Sequence, residues 1–387
     1  MGRRSAVMKR RHALGLGLAG LVASGCRKEP AALPPEPVSK KGKEGENLVP
    51  VHVDPSLEIR TIAGLRPFRP SGFVVRREDV AGKILVHNYG HGGGGMTLSW
   101  GSSELAVRLA GDLSGLSCGV IGGGVMGLST ARLLQLRGAS VTLYAAALPP
   151  DTTSNVAGAQ WWPFSVFDND RRTEEFGKQY IEAAAFSYQY FQRLVGPRMG
   201  IRWIPNYYLS NGPPKNGWIA GPGGVLHSMQ VGFRDFGPGE HAFPANHVRR
   251  FHTMLIEPSI YLPELLAEVQ GAGGGIVIRK MASMAEILAL PHSALFNCIG
   301  LGAKELCADP ELIPIRGQLT FMIPQPAVDY NLLTEDLYMF PRTDGILLGG
   351  TYEKGNWDPS PDLAKRDHII AAHGKLFTAM AGIQRQE

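Results

Sequence analysis

From residue 103 to residue 144 the hydrophobic and polar positions change period three times. Ser103 to Ala110 has helical spacing and is followed by the short connection Gly111-Asp112-Leu113-Ser114-Gly115. Ser117 to Ile121 is an unbroken short run of the kind a buried strand shows. Met126 to Arg137 returns to helical spacing, and Gly138 supplies a left-handed stop. Ser140 to Tyr144 then predicts a second strand, completing a βαβ unit. Further along, Arg171 to Leu194 has helical character, and the Gly271 to Gly275 cluster predicts a turn into the strand Ile276 to Ile278. Gly345 to Gly349 reads as a strand and Asp362 onward as a terminal helix. No internal repeat is visible.

At the first bend of the βαβ unit stands Gly122-Gly123-Gly124-Val125-Met126-Gly127, which fits the dinucleotide fingerprint. Gly122 would make the tight turn, Gly124 would let the backbone approach a pyrophosphate, and Gly127 would let helix pack on strand. The N–H groups of Val125 and Met126, at the helix start, would face the phosphates. An adenine ribose usually meets an Asp or Glu about twenty residues after the first glycine. Here that region reads Tyr144-Ala145-Ala146-Ala147. The acid is missing, and no nearby Arg favours a ribose phosphate, so the fingerprint alone leaves NAD, NADP and FAD open.

A second glycine motif, His87-Asn88-Tyr89-Gly90-His91-Gly92-Gly93-Gly94-Gly95-Met96-Thr97, lies about thirty residues ahead of the first. With Gly64-Leu65-Arg66-Pro67-Phe68-Arg69-Pro70, Val75-Arg76-Arg77-Glu78 and Trp100-Gly101 it resembles the closing segment of the D-amino-acid oxidase family. The rest of that family's pattern follows in its usual order: Asp151-Thr152-Thr153-Ser154 with Gly158, then Asn297-Cys298-Ile299-Gly300, Arg316-Gly317-Gln318, Tyr338-Met339-Phe340-Pro341, and Gly349-Gly350-Thr351-Tyr352 with Gly355-Asn356-Trp357. The likeness runs from about Leu57 to the end, with the family's last segment placed first. The chain therefore reads as a circularly permuted relative, a rearrangement that needs the original termini to lie close together at the surface.

The resemblance selects FAD and implies a Rossmann-like FAD-binding domain interleaved with a mainly antiparallel β substrate domain. It adds Thr152, Thr153, Ser154 and Gly158 to the cofactor site, together with His91, Gly92, Gly93, Gly94, Gly95, Met96 and Thr97. Four consecutive glycines are costly to order. Their expected use is close approach, with peptide N–H groups and the next helix meeting the flavin where reduction builds negative charge. Arg66 corresponds to the arginine whose planar fork takes the substrate carboxylate, and Tyr338 and Tyr352 to tyrosines that complete the clamp. Some members carry a further pocket tyrosine where this chain has Thr334. The reaction implied is oxidative deamination of a D-amino acid, with an amino-acid substrate and oxygen as partners. Two alternatives stay open. One is an oxidase or dehydrogenase of another amine, such as glycine, an N-methyl or an acidic D-amino acid; the other is a non-catalytic, membrane-tethered flavin-binding protein.

The chain has 387 residues, 44% of them hydrophobic, enough for two lobes. Much of the net charge of +5 sits in the first 45 residues, so nucleic acid is set aside. There Arg10-Arg11 precedes a mildly apolar run, and Ala23-Ser24-Gly25-Cys26 resembles a bacterial lipoprotein cleavage site. The reading is export by the twin-arginine route with a lipid on Cys26, either Met1 or Met8 being the start, and a cytoplasmic location as the alternative. The expected division is a signal over 1–26, a disordered linker over 27–56, FAD-binding segments 57–160, 255–312 and 358–387, and substrate-binding segments 161–254 and 313–357. Cys118, Cys298 and Cys307 have no metal-like spacing and read as buried thiols; no metal site is expected. The oligomeric state stays open.

Overall fold

The computed structural model describes residues 42–158 and 160–385. The leader, Arg10-Arg11 and Cys26 lie outside the described residues. From Lys43 onward the chain forms one compact unit built on two sheets.

The first sheet has six strands in the order β2 (Val74–Val80), β3 (Lys83–Tyr89), β10 (Ala294–Asn297), β4 (Ser117–Ile121), β5 (Ser140–Ala145) and β9 (Gly275–Ile278). All neighbours from β3 to β9 are parallel, and only the β2–β3 hairpin is antiparallel. Parallel neighbours need crossovers. α2 (Val125–Leu136) supplies the one between β4 and β5, and α1 (Gly95–Ala110) and α4 (Pro258–Gly271) pack with it. Val120, Phe296, Leu128 and Leu265 are fully buried in the core between these helices and the sheet.

The second sheet has nine strands. Its path is β1 (Glu58–Phe68), β11 (Ile313–Met322), β14 (Gly345–Gly349), β13 (Tyr338–Arg342), β12 (Asn331–Leu333), β6 (Ile201–Ser210), β8 (His247–Ile256) and β7 (Val231–Phe236), and β15 (Glu353–Lys354) also pairs with β11. Every pair is antiparallel except β12 with β6. The remaining helices are α3 (Glu174–Arg193), α5 (Met284–Leu288), α6 (Ala303–Leu306) and α7 (Leu363–Gln384).

Several expected boundaries move. β1, placed with the FAD-binding segments by sequence, is an edge strand of the second sheet, paired along its length with β11. α7 also belongs there: Ile369, Phe377 and Met380 share a core with Leu348 and Met339, and His373 Nε2 lies 3.2 Å from the Tyr338 carbonyl. α3, expected with the substrate segments, packs on α1. Residues 42–56, expected as linker, are anchored: Arg250 pairs with Glu44 at 2.9 Å, Tyr330 donates to the Val49 carbonyl at 2.9 Å, and Val51 is buried. The segment looks like linker in composition because its few apolar residues stand among Gly, Pro, Lys and Glu, yet Leu48, Val51 and Val53 pack into the core of the second sheet. α1 starts eight residues before the predicted Ser103. Its first two turns are buried all round and so carry no polar face to mark them.

Candidate active site

β4 feeds directly into the fingerprint, and α2 begins at Val125. Gly122 has φ +121°, and a Cβ there would sit 2.3 Å from the Cys298 carbonyl oxygen; at Gly127 it would sit 1.8 Å from the Gly122 carbonyl. Both positions exclude any side chain, which locks the strand-to-helix turn. Gly124 caps α2 without a side chain. Ser154 takes over part of that task, its Oγ accepting from the Val125 N–H at 3.0 Å. The other amides of the first turn have no partner within the helix, and this end of α2 opens on a large cavity. Gly122, Gly124, Val125, Met126, Thr152, Thr153, Ser154 and Gly158 line that cavity. Gly127 lies behind its wall as a packing residue.

The second glycine motif reaches the same cavity, though not in the way expected. Gly93 N–H donates to the Ser165 carbonyl at 2.8 Å and Gly94 N–H to the His91 carbonyl at 3.0 Å, so two of the amides expected to face a ligand are already engaged. A Cβ at Gly92 would lie 2.2 Å from the Ser165 oxygen, and one at Gly94 2.5 Å from Val166 Cγ2. The glycines thus admit the chain at 164–166. His91, Gly92, Gly93, Gly95, Met96 and Thr97 line the cavity, and Gly94 does not. His91 stacks on Phe73 with ring centroids 4.5 Å apart. Its Nε2 lies 2.6 Å from Ser102 Oγ, whose own proton goes to Asn88. Nε2 therefore carries the His91 proton. Burial pushes the pKa of His91 down to about 3, leaving a neutral ring.

The opposite wall is the second sheet. Register places Arg249, Tyr208, Leu333, Tyr338, Gly349 and Leu319 in one row across β8, β6, β12, β13, β14 and β11. Arg66, on the neighbouring edge strand, donates through Nη2 to the Tyr338 hydroxyl at 3.4 Å. Its guanidinium has room only because residue 317 lacks a side chain, since a Cβ there would sit 2.4 Å from Nη2. No carboxylate pairs with Arg66 among the described residues, whereas Arg69 and Arg316 both have acidic partners. Tyr352 stands at the mouth, 52% exposed, its hydroxyl accepting from Ser165 Oγ at 3.1 Å. No hydrogen bond joins Tyr352 to Arg66 or Tyr338 among the described residues. Thr334, where a further tyrosine was looked for, uses its hydroxyl to accept from the Asp336 and Leu337 amides. Neither Ser165 nor Gly317 carries a sequence signal of this role. Gly317 belongs to the Arg316-Gly317-Gln318 motif, which assigns it no function, and Ser165 belongs to no motif.

Arg66, Tyr338, Tyr352 and both glycine motifs share one cavity of 2190 Å³. Small-molecule pockets usually measure about 300–1,000 Å³, so this one has room for a dinucleotide and a small second ligand together. Where a ribose acid was missing, Ala146 and Ala147 do line the cavity, beside Arg279 and Lys280. The partly capped α2 terminus, the glycine turn and the cavity size fit FAD. Among the described residues no cluster of His, Cys, Asp or Glu is arranged to hold a metal. Cys118 and Cys298 are buried and Cys307 is half-buried, all as free thiols.

The fold and the cavity define a dinucleotide-binding protein whose second-sheet wall presents an arginine with no acidic partner among the described residues. Residues 118–387 match the DAO family, FAD dependent oxidoreductase. The chain is 31% identical over 271 residues to a D-amino-acid oxidase of Rubrobacter xylanophilus, covering 68% of this chain and 78% of that one. It is 32% identical over 270 residues to a D-amino-acid oxidase of Streptomyces coelicolor, with the same coverage. A D-aspartate oxidase of Homo sapiens is 28% identical over 272 residues, 68% of this chain and 76% of that one. Among solved structures, glycine oxidase from Geobacillus kaustophilus shares the fold, with a TM-score of 0.52 at 13% identity over 69% of this chain and 80% of that one. The chain belongs to the DAO family of FAD-dependent oxidoreductases. It is an FAD-dependent amino acid oxidase.

Proposed function

We propose that the protein oxidatively deaminates D-amino acids, converting a D-amino acid, oxygen and water into the 2-oxo acid, ammonia and hydrogen peroxide. The observation that carries this reading is Arg66: a half-buried guanidinium with no acidic partner among the described residues, beside a tyrosine hydroxyl, facing the cavity that the fingerprint also lines. An unpaired cation in such a place calls for an anionic ligand, and a guanidinium fork matches a carboxylate bidentately. The D-amino-acid oxidases among the relatives support the stereochemistry.

In this reading Arg66 binds the α-carboxylate through two parallel hydrogen bonds. The Tyr338 hydroxyl accepts from Arg66 and so has its own proton free for the same carboxylate. Anchoring one end of a small substrate on β1 and β13 fixes the direction of its α-carbon, and orientation of this kind supplies much of the rate. FAD held at the α2 terminus would supply a two-electron acceptor for the α-carbon hydride, reoxidised by oxygen to give hydrogen peroxide. The amine nitrogen would give up a proton as the imine forms, and water would hydrolyse that imine to the 2-oxo acid and ammonia. No dedicated base is assigned. Tyr352, tied to Ser165 at the mouth, stands where a substrate side chain would enter. The family match beginning at residue 118, with Arg66 and the second glycine motif ahead of it yet in the same cavity, supports circular permutation. The leader supports export and a lipid anchor at Cys26.

The test is peroxide release by the full chain over matched panels of D- and L-amino acids, with Arg66→Ala alongside. Removing one partner of a buried charge pair costs roughly 2–5 kcal/mol, so kcat/KM for D-substrates should fall roughly 30- to 4,000-fold with FAD retained. Turnover of L-substrates at equal rate, or an active Arg66→Ala, would contradict the proposal. Turnover confined to glycine or N-methyl amino acids would move the assignment to another amine.

A further inference from the structure

The cavity-facing side of the second sheet carries a second polar group, apart from the carboxylate clamp. One two-residue step along the strands from the Tyr338 row lies the row Phe251, Asn206, Asn331 and Phe340. Asn206 is 2% exposed, lines the cavity, and its Oδ1 has no partner within the protein. Asn331, fully buried beside it, also has an unpartnered Oδ1, while its Nδ2 donates to Gln160 Oε1 at 3.4 Å. Gln230, 4% exposed, lines the same cavity with Nε2 unpartnered, its Oε1 accepting from the Gly221 amide at 2.8 Å. Buried carboxamides are normally fully hydrogen-bonded. Two such lapses on the wall of one cavity, at Asn206 and Gln230, with Asn331 behind Asn206, mark a place where a ligand completes the bonding.

We infer that Asn206, backed by Asn331 and aided by Gln230, forms a side-chain subsite that selects D-amino acids with a long, neutral, hydrogen-bonding side chain, the D-glutamine type, over aliphatic ones. This rests on the D-amino-acid reading of the same cavity. Two strand spacings and one two-residue step put Asn206 about 12 Å from Tyr338 along the backbone. A glutamine-length side chain spans the gap left once the carboxylate is clamped, and an alanine side chain does not. The subsite is uncharged because Arg249, the cation next to it, is already engaged: Asp235 takes Nε and Nη2, and Asn216 and the Lys215 carbonyl take the rest of the fork. A neutral carboxamide offers both donor and acceptor to such a wall.

The experiment compares kcat/KM for D-glutamine and D-leucine in the full-chain holoenzyme, in Asn206→Leu and in Asn206→Asp, with flavin absorbance confirming that each variant is folded and loaded. Anaerobic titration of the flavin spectrum gives the Kd of each amino acid independently of turnover. Wild type should favour D-glutamine at least tenfold. Asn206→Leu should reverse the ratio by raising D-leucine and lowering D-glutamine, and Asn206→Asp should bring in D-lysine. A wild-type ratio near one, or a ratio untouched by Asn206→Leu, overturns the inference. So does loss of FAD affinity in Asn206→Leu with the ratio unchanged, which would assign the carboxamide to the cofactor. If D-glutamine binds selectively but is never oxidised, the subsite stands and the oxidase reading of D-substrates fails; if no D-amino acid binds, both fall.

Discussion

Replacing Gly317 by alanine tests how Arg66 is held without touching Arg66 itself. The new Cβ would lie 2.4 Å from Nη2, 2.7 Å from Cζ and 2.8 Å from Nη1 of Arg66, where ordinary contact begins at 3.4 Å. The guanidinium must therefore retreat by about 1 Å, and a misplacement of that size costs on the order of 10²-fold in rate. Stability should barely change. The clash falls on the free end of a flexible side chain, and the lost glycine freedom in the unfolded chain returns about 0.4–1 kcal/mol. Steady-state peroxide assays on wild type, Gly317→Ala, Arg66→Ala and the double variant decide the matter. The expected result is roughly a hundredfold loss of kcat/KM in Gly317→Ala with the flavin spectrum and denaturation midpoint unchanged, and no further loss when alanine at 317 is added to Arg66→Ala, because both changes act through one group. Wild-type activity in Gly317→Ala, or the same hundredfold loss in the Arg66→Ala background, would refute the reasoning.

Other consequences are as direct. Gly122→Ala should not yield folded, flavin-loaded protein, because φ +121° and a carbonyl 2.3 Å away leave no place for a methyl group; soluble yellow protein from this variant would count against the turn's role. Ser154→Ala removes the acceptor for the Val125 amide, a change of about 1 kcal/mol, and should raise the Kd for FAD roughly fivefold in equilibrium dialysis. Stability should fall as pH drops below the ordinary histidine range. Burial lowers His91 to about 3 and His373 to about 4, so the unfolded chain takes up those protons first, and each histidine withdraws on the order of 2 kcal/mol between pH 6.5 and 5. Urea midpoints at pH 7 and pH 5 measure the slope, and His91→Asn should flatten it.

The parts legible in the sequence are those where local period and chemistry agree. β4, α2 and β5 were read within two residues because an apolar strand, a glycine turn and a helical period follow one another there. Arg66 and Tyr338 stand in widely separated motifs, and the sheet brings them together through β1, β11, β14 and β13. The rest depended on tertiary pairing that no local pattern records. Nothing in Gly92 to Gly94 says that Ser165 will approach them, so their amides were assigned to a ligand when two of them are bonded within the protein. α7 has apolar residues around its circumference and no polar stripe to say which sheet it covers, and β1 carries Arg66 on the second sheet in a segment that by motif belongs with the cofactor. Asn206 was invisible because a buried asparagine in a strand has no signature before its neighbours are known.

The central claim is tested most directly by the visible spectrum of the full-chain protein, recorded anaerobically before and after adding a pool of D-amino acids, with the L-pool as control. The account predicts a flavin band bleached by the D-pool alone and restored on admitting oxygen. A flavin band that neither pool bleaches would contradict it.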